Sequence, residues 1–255
     1  MDFQDHYGKD VRFHAATAHL YDGVVSEPRA FANELLFRRL DRLVPGGGRM
    51  LDLGCGTGQM LLRYASRHEQ AEGVDHSPEM LAHARERLDR AGLDRVRLAR
   101  RNLFEFLAEP GPEYDLVTCV GCLHHLPAGT LAAFFPAVAS RLKRGGRLLF
   151  AEPVAVDPTD IPGPVARWNA ASVMRERAAW LEDAGAEEPD EAPVEEATLR
   201  GLPEECGFEL LAESRGWELF PHRIPAGWRD RWVMRRLHRR HGATGNILAL
   251  LWRAS

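Results

Sequence analysis

The stretch "LDLGCGTG" at residues 51–58 decides how this chain reads. A short apolar run carrying one acid, Asp52, ends in three alternating glycines, Gly54, Gly56 and Gly58. Glycine repeated at a strand end marks backbone that takes left-handed angles or is approached closely by another group. The spacing is Gly-x-Gly-x-Gly, not the Gly-x-Gly-x-x-Gly of a dinucleotide pyrophosphate site. The Lys and Ser/Thr of a phosphate-binding loop are also missing, so the loop is not expected to hold a phosphate. Asp75 ends a second apolar run, "AEGVD" (71–75), 17 residues past Gly58. An acid there can accept hydrogen bonds from both hydroxyls of a ribose. A ribose without a pyrophosphate points to S-adenosylmethionine.

Outward from the loop, strands and helices alternate. "QMLLRYASRH" has helical spacing, and "SPEMLAHARERLDRAG" (77–92) is a helix with clear punctuation. Ser77 suits its cap, Pro78 its first position and Gly92 its end. Strands follow at "VRLAR" (96–100), "YDLVTCVG" (114–121) and "RLLFAEP" (147–153), with a helix containing Pro136 between the last two. Strands joined by crossover helices predict an α/β fold with a doubly wound, mostly parallel sheet. Such sheets bind ligands beyond the carboxyl ends of their strands, where the glycine loop lies.

Composition narrows the class. The 255 residues suffice for one large α/β domain. No apolar run approaches the roughly 20 residues of a membrane helix, and "MDFQDHYGKD" does not read as a signal peptide. Cys55, Cys119, Cys122 and Cys206 form no secreted disulfide pattern, so reduced thiols and a cytoplasmic protein are expected. The net charge of −4 is unevenly spread: residues 153–213 hold 15 acidic and 4 basic side chains, while 221–255 hold 8 arginines against Asp230. An acidic middle and a basic tail invite an ion-paired surface or an anionic partner.

"MLDLGCGTG", "GVDHSPEMLAHAR", "YDLVTCVGCLHHLP" and "LKRGGRLLFAEP" together resemble the motifs of the class I S-adenosylmethionine-dependent methyltransferases, in order and spacing, over residues 45–153. The resemblance implies a seven-stranded sheet, with "FELLAESRGWELF" (208–220) and "NILALLWRA" (246–254) as its last two strands. It divides a single domain into an N-terminal cap (1–35), a cofactor-binding core (45–153), a helical lid inserted after the fifth strand (154–207) and a C-terminal strand pair (208–255). It puts Gly54, Gly56 and Gly58 beneath the methionine part of the cofactor and Asp52 near its amino group. Asp75 would hold the ribose, with His76 beside the adenine. Asn102 and Leu103 would meet the adenine edge and face, Val120 the amino-acid end through its carbonyl, and Tyr21 a pocket wall. Asn102 stands where an Asp is commoner, and its amide still offers an acceptor and donors.

Methyl transfer from a sulfonium requires in-line positioning and, for a hydroxyl acceptor, removal of a proton. Histidine is the first suspect for a base at neutral pH. "LHHLP" supplies His124 and His125 beyond the fourth strand, with His125 expected to be the base and its neighbour to point the other way, as on a strand. Tyr7 and His14 belong to the cap that the family folds over its pocket. The Cys119/Cys122 pair has no second pair to complete a zinc site, so core packing and no metal are expected.

Substrate choice falls to the cap and the insertion. "GPVARWNAASVMRERAAWLEDAG" predicts a helix with Trp168, Val173, Met174 and Trp180 on one apolar face, followed by the exposed acidic loop "EEPDEAP". "GWRDRWVMRRLHRRHG" (227–242) predicts a helix turning Trp228, Trp232 and Val233 inward and arginines outward. The expected activity is methylation of a small-molecule acceptor, most simply at oxygen, with secondary metabolism as one setting and S-adenosylhomocysteine as product. The chain is expected to be a monomer or homodimer. The absence of an "NPPY"-type motif argues against nucleic-acid amino groups. Two alternatives remain: a cofactor-binding relative that transfers no methyl group, and an RNA or protein methyltransferase, for which the arginine helix is the hint.

Overall fold

A computed structural model describes residue 8, residues 12–18, 21, 23, 26–127, 129–172 and 193–255. Seven strands form one sheet: β1 (Arg49–Leu53), β2 (Gln70–Asp75), β3 (Arg97–Arg100), β4 (Tyr114–Val120), β5 (Leu142–Pro153), β6 (Glu209–Gly216) and β7 (Ile247–Arg253). Their order is β3-β2-β1-β4-β5-β7-β6. β1 through β5 pair in parallel, and β7 lies antiparallel between β5 and β6. Strand order reverses between β1 and β4, so the crevice of a doubly wound sheet opens at their carboxyl ends.

The central strands are apolar on both faces because helices cover both. Leu51, Leu53, Val117, Cys119 and Phe150 face Phe134, Phe135 and Val138 of the Leu131–Ala139 helix. Met50, Leu116 and Leu149 face Phe37, Leu61, Tyr64 and Leu88 on the other side. β5 is longer than expected. Its pairing begins at Leu142 opposite Tyr114, and the register shifts before Leu116 resumes opposite Arg147. The Pro78–Arg90 helix is punctuated as its sequence predicts: the Ser77 hydroxyl accepts the Met80 N–H at 3.2 Å.

The insertion begins with a helix at Gly163–Ala170. This helix ends at Ala170, with Ala171 and Ser172 in a turn, short of the longer helix expected; Val173, Met174 and Trp180 lie outside the described residues, as do residues 187–192 of the acidic loop and Tyr7. Trp168 is held in place, its Nε1 donating to the Phe220 carbonyl at 2.8 Å and its ring stacked 3.9 Å from His222. The arginine-rich helix forms at Trp228–His241, but its orientation differs from expectation. Asp230, Met234 and Leu237 face inward, joining Phe31, Leu35, Val165, Trp217 and Leu219, while Trp228 and Trp232 face outward. Burial of Asp230 is compensated by the His222 N–H, which donates to its carboxylate at 3.0 Å.

The weights of cap and core can be separated by denaturant unfolding. Ser77→Ala should cost about 1 kcal/mol, whereas Phe150→Ala, which empties a fully buried site between the sheet and its helix, should cost about 3–5 kcal/mol.

Candidate functional site

Two turns meet at the crevice, and each is fastened by a carboxylate from a neighbouring strand. The first is the glycine loop. All three of its glycines have left-handed angles, with φ of 63°, 50° and 82° at Gly54, Gly56 and Gly58. Their surroundings differ. A Cβ on Gly54 would lie 2.5 Å from the Cys122 sulfur, whereas one on Gly58 would only touch Ala84, at 3.4 Å. Only at Gly56 would it meet nothing within 4 Å. Gly54 is thus required by packing, Gly58 by its left-handed angle, and of the three Gly56 alone presents bare backbone to open space. That narrows the expectation that all three underlie a ligand.

Asp75 holds this loop. Its Oδ2 accepts the Gly56 N–H at 2.8 Å and its Oδ1 the Ser77 N–H at 2.9 Å. Each carboxylate oxygen retains capacity for a further donor. Thr57, which sequence reasoning passed over, is buried and ties the loop outward, its hydroxyl accepting from Arg87 at 2.7 Å. Asp52 lies beneath, 2% exposed, its carboxylate accepting the Thr118 hydroxyl at 2.6 Å. Burial pushes its pKa up to about 7, against the Thr118 hydrogen bond and with help from the Asp75 charge.

The second turn follows β4. Val120 ends that strand, and residues Leu123–His125 form a single 3₁₀ turn. The two histidines therefore do not alternate as on a strand. Their rings lie on one side, with centroids 4.2 Å apart and planes at 39°. The turn is organised by Glu152, from β5, which has no exposed surface. Its Oε1 accepts the N–H groups of Cys122 (3.0 Å) and Leu123 (2.9 Å). Its Oε2 lies 2.7 Å from His124 Nδ1 and 3.4 Å from the His124 N–H. Sequence reasoning missed Glu152. An acid in an otherwise apolar buried strand was the available signal.

The cap reaches this site. His14, in the helical segment 12–18, has its ring centroid 5.1 Å from His125, 6.1 Å from Tyr21 and 6.3 Å from His76. His76 Nδ1 stands 4.0 Å from Asp75 Oδ1. Asn102 caps the Leu103–Ala108 helix, its Oδ1 accepting from Phe104 N (2.9 Å) and Glu105 N (3.4 Å). Its acceptor is thereby engaged, and its amide NH₂ is what remains for a ligand. Cys119 and Cys122 are free thiols in the core. The hydrogen bond to Cys122, followed by burial, raises the Cys119 pKa well above the usual thiol range. Among the described residues, no group of three or more His, Cys, Asp or Glu side chains is placed to hold a metal.

Comparison with known proteins agrees with this fold. Residues 50–146 match the model of a methyltransferase domain. A ubiquinone biosynthesis O-methyltransferase from Xanthomonas axonopodis pv. citri is 36% identical over 107 residues, covering 42% of this chain and 44% of that protein. The matched segment thus spans less than half the length of the curated relatives. Among solved structures, the DhpI–SAH complex superposes with a TM-score of 0.63 at 18% identity, covering 97% of this chain and 96% of the other. The [4+2]-cyclase SpnF superposes at 0.54 and 19% identity, covering 93% and 95%. Residues 50–146 thus match a methyltransferase domain, and the chain has the seven-stranded fold of the class I S-adenosylmethionine-dependent methyltransferases. No helix of the described residues is long and apolar enough to cross a membrane.

Asp52 offers a test of the crevice's electrostatics. With its pKa raised, the folded chain holds that proton more tightly than the unfolded chain does. Its contribution to stability is therefore lost as pH rises from the ordinary carboxylate range through about 7. Asp52→Asn should consequently melt above wild type at about pH 8 and lose that advantage at about pH 5. Equal melting temperatures throughout would contradict a buried, ionising Asp52.

Proposed function

We propose that this chain binds S-adenosylmethionine and methylates a small-molecule acceptor, most simply at a hydroxyl. The observation that carries the reading is the pairing of the two turns: bare backbone at Gly56 under Asp75, and beside it a histidine backed by a buried carboxylate. The residues fit the cofactor. Asp75 can accept its ribose hydroxyls without releasing the Gly56 N–H, because each carboxylate oxygen accepts more than one bond. The Asp52 carboxylate suits its ammonium group, while His76, the Asn102 amide, Leu103 and Tyr21 suit the adenosine, and the Val120 carbonyl the amino-acid end. When bound, the cofactor supplies an activated methyl group. The protein's task is to orient the acceptor and remove its proton.

For that proton we assign His124 as base, in place of the His125 that its sequence position suggested. Glu152 facing Nδ1 favours the tautomer with the proton on Nδ1, leaving Nε2 as acceptor. His125, packed near His14, forms a wall of the same space. His124→Ala should lower turnover by about 10²–10⁴-fold with cofactor affinity nearly unchanged. Glu152→Gln keeps an oxygen for the backbone amides but replaces the carboxylate that holds His124 Nδ1, so turnover should fall while cofactor affinity stays nearly unchanged. Loss of activity in His125→Ala alone would reverse the assignment.

Incubation with methyl-labelled S-adenosylmethionine and a set of hydroxylated metabolites tests the function itself. Label in an organic product supports it. Tight binding without any transfer favours a family member that uses the fold for other chemistry, as the name of the SpnF cyclase illustrates. Asp75→Ala should weaken cofactor binding by about 1.5–3 kcal/mol for each charge-assisted bond lost, read by titration calorimetry.

A further inference from the structure

The Trp228–His241 helix presents an unusual outer surface. Trp228 is 76% exposed and Trp232 57%, more than any other large apolar side chain among the described residues. Their i, i+4 spacing places them on one stripe, which Arg235 and Arg239 continue over the next turns. Arg229 lies over the Trp228 ring at 5.2 Å and Arg236 over the Trp232 ring at 5.6 Å. The helix carries six arginines, at positions 229, 231, 235, 236, 239 and 240, against Asp230, which is buried. Among the described residues, none of the six is in an ion pair. Since the chain as a whole has a net charge of −4, this basic character is local.

The helix also has a defined position. β6 runs parallel to β5, and Ile247 at the start of β7 stands opposite both Gly216 and Pro153. The segment 217–246, which contains the helix, therefore departs from and returns to the carboxyl end of the sheet, where the crevice opens.

We propose that this face docks the protein on an anionic phospholipid surface. Trp228 and Trp232 would sit among the headgroups, and the arginines would pair with lipid phosphates. Indoles suit that boundary because one body is apolar and one edge donates a hydrogen bond. Clustered arginines answer the negative surface potential of such a membrane. Two other occupants fit less well. A two-fold copy would set arginine against arginine, and a stacking nucleobase would compete with the guanidinium already lying over each indole. The docking stands on the surface alone and is independent of methyl transfer.

The full chain should co-sediment with vesicles of phosphatidylglycerol and phosphatidylcholine in equal amounts, but not with phosphatidylcholine alone. Binding should shift its tryptophan emission to the blue. Neutralising Arg236, Arg239 and Arg240 to Gln together should weaken binding on the order of a hundredfold. Trp228→Ser with Trp232→Ser should weaken it and abolish the shift. All these positions are exposed, and thermal melting of each variant confirms that it folds. Equal retention on both vesicle types, binding unmoved by either set of substitutions, or tryptophan-dependent self-association without vesicle binding overturns the proposal.

Discussion

A fully buried carboxylate is expensive unless donors surround it, and Glu152 makes that expense organise the site. Stripped of water and unpaired, it would cost several kcal/mol. Three successive backbone N–H groups and the His124 imidazole converge on it instead. The chain after β4 can supply those donors only by curling back toward β5, and this is the 3₁₀ turn observed. The position of both histidines follows from that requirement. Asp75 acts likewise across the crevice, where its bond to Gly56 fixes the loop's exposed apex.

The two anchors differ in what they leave available. Glu152 is enclosed and acts through the groups it holds. Asp75 remains at the edge of the crevice with acceptor capacity in reserve. Asp52 is the third acid of this end of the sheet, and its proximity to Asp75 adds charge repulsion to the cost of burial. A cation bound near it would relieve both costs. This gives a physical reason for an acid at the end of β1 that helps neither the core nor the fold.

Much of this was legible in the sequence. Parallel central strands are short, apolar and bounded by glycine, so β1, β2 and β4 stand out without partners being known. Asp75 was readable because its role depends on a loop only 17 residues upstream. Glu152 was not, since its partners lie 28 to 30 residues away and meet it only once β4 pairs with β5. The two histidines were expected to point opposite ways, and do not, because periodicity says nothing about where a strand stops, and β4 stops at Val120. The outer helix was misread for another reason. Trp228, Trp232 and Val233 make a plausible apolar face, but of these only Val233 packs inward, beside Met234 and Leu237, and the His222 amide compensates Asp230 for accompanying them.

The account's central claim is that carboxylate-fastened turns form one site, with the cofactor on Asp75 and the acceptor's proton facing His124. A crystal structure of the protein with S-adenosylhomocysteine tests it most directly. The account predicts both ribose hydroxyls within hydrogen-bond distance of Asp75 while Gly56 keeps its bond, and His124 Nε2 on the sulfur side with Glu152 still at Nδ1. A nucleoside bound away from Asp75, or a Glu152 that releases His124 while His125 turns to the sulfur, would contradict it.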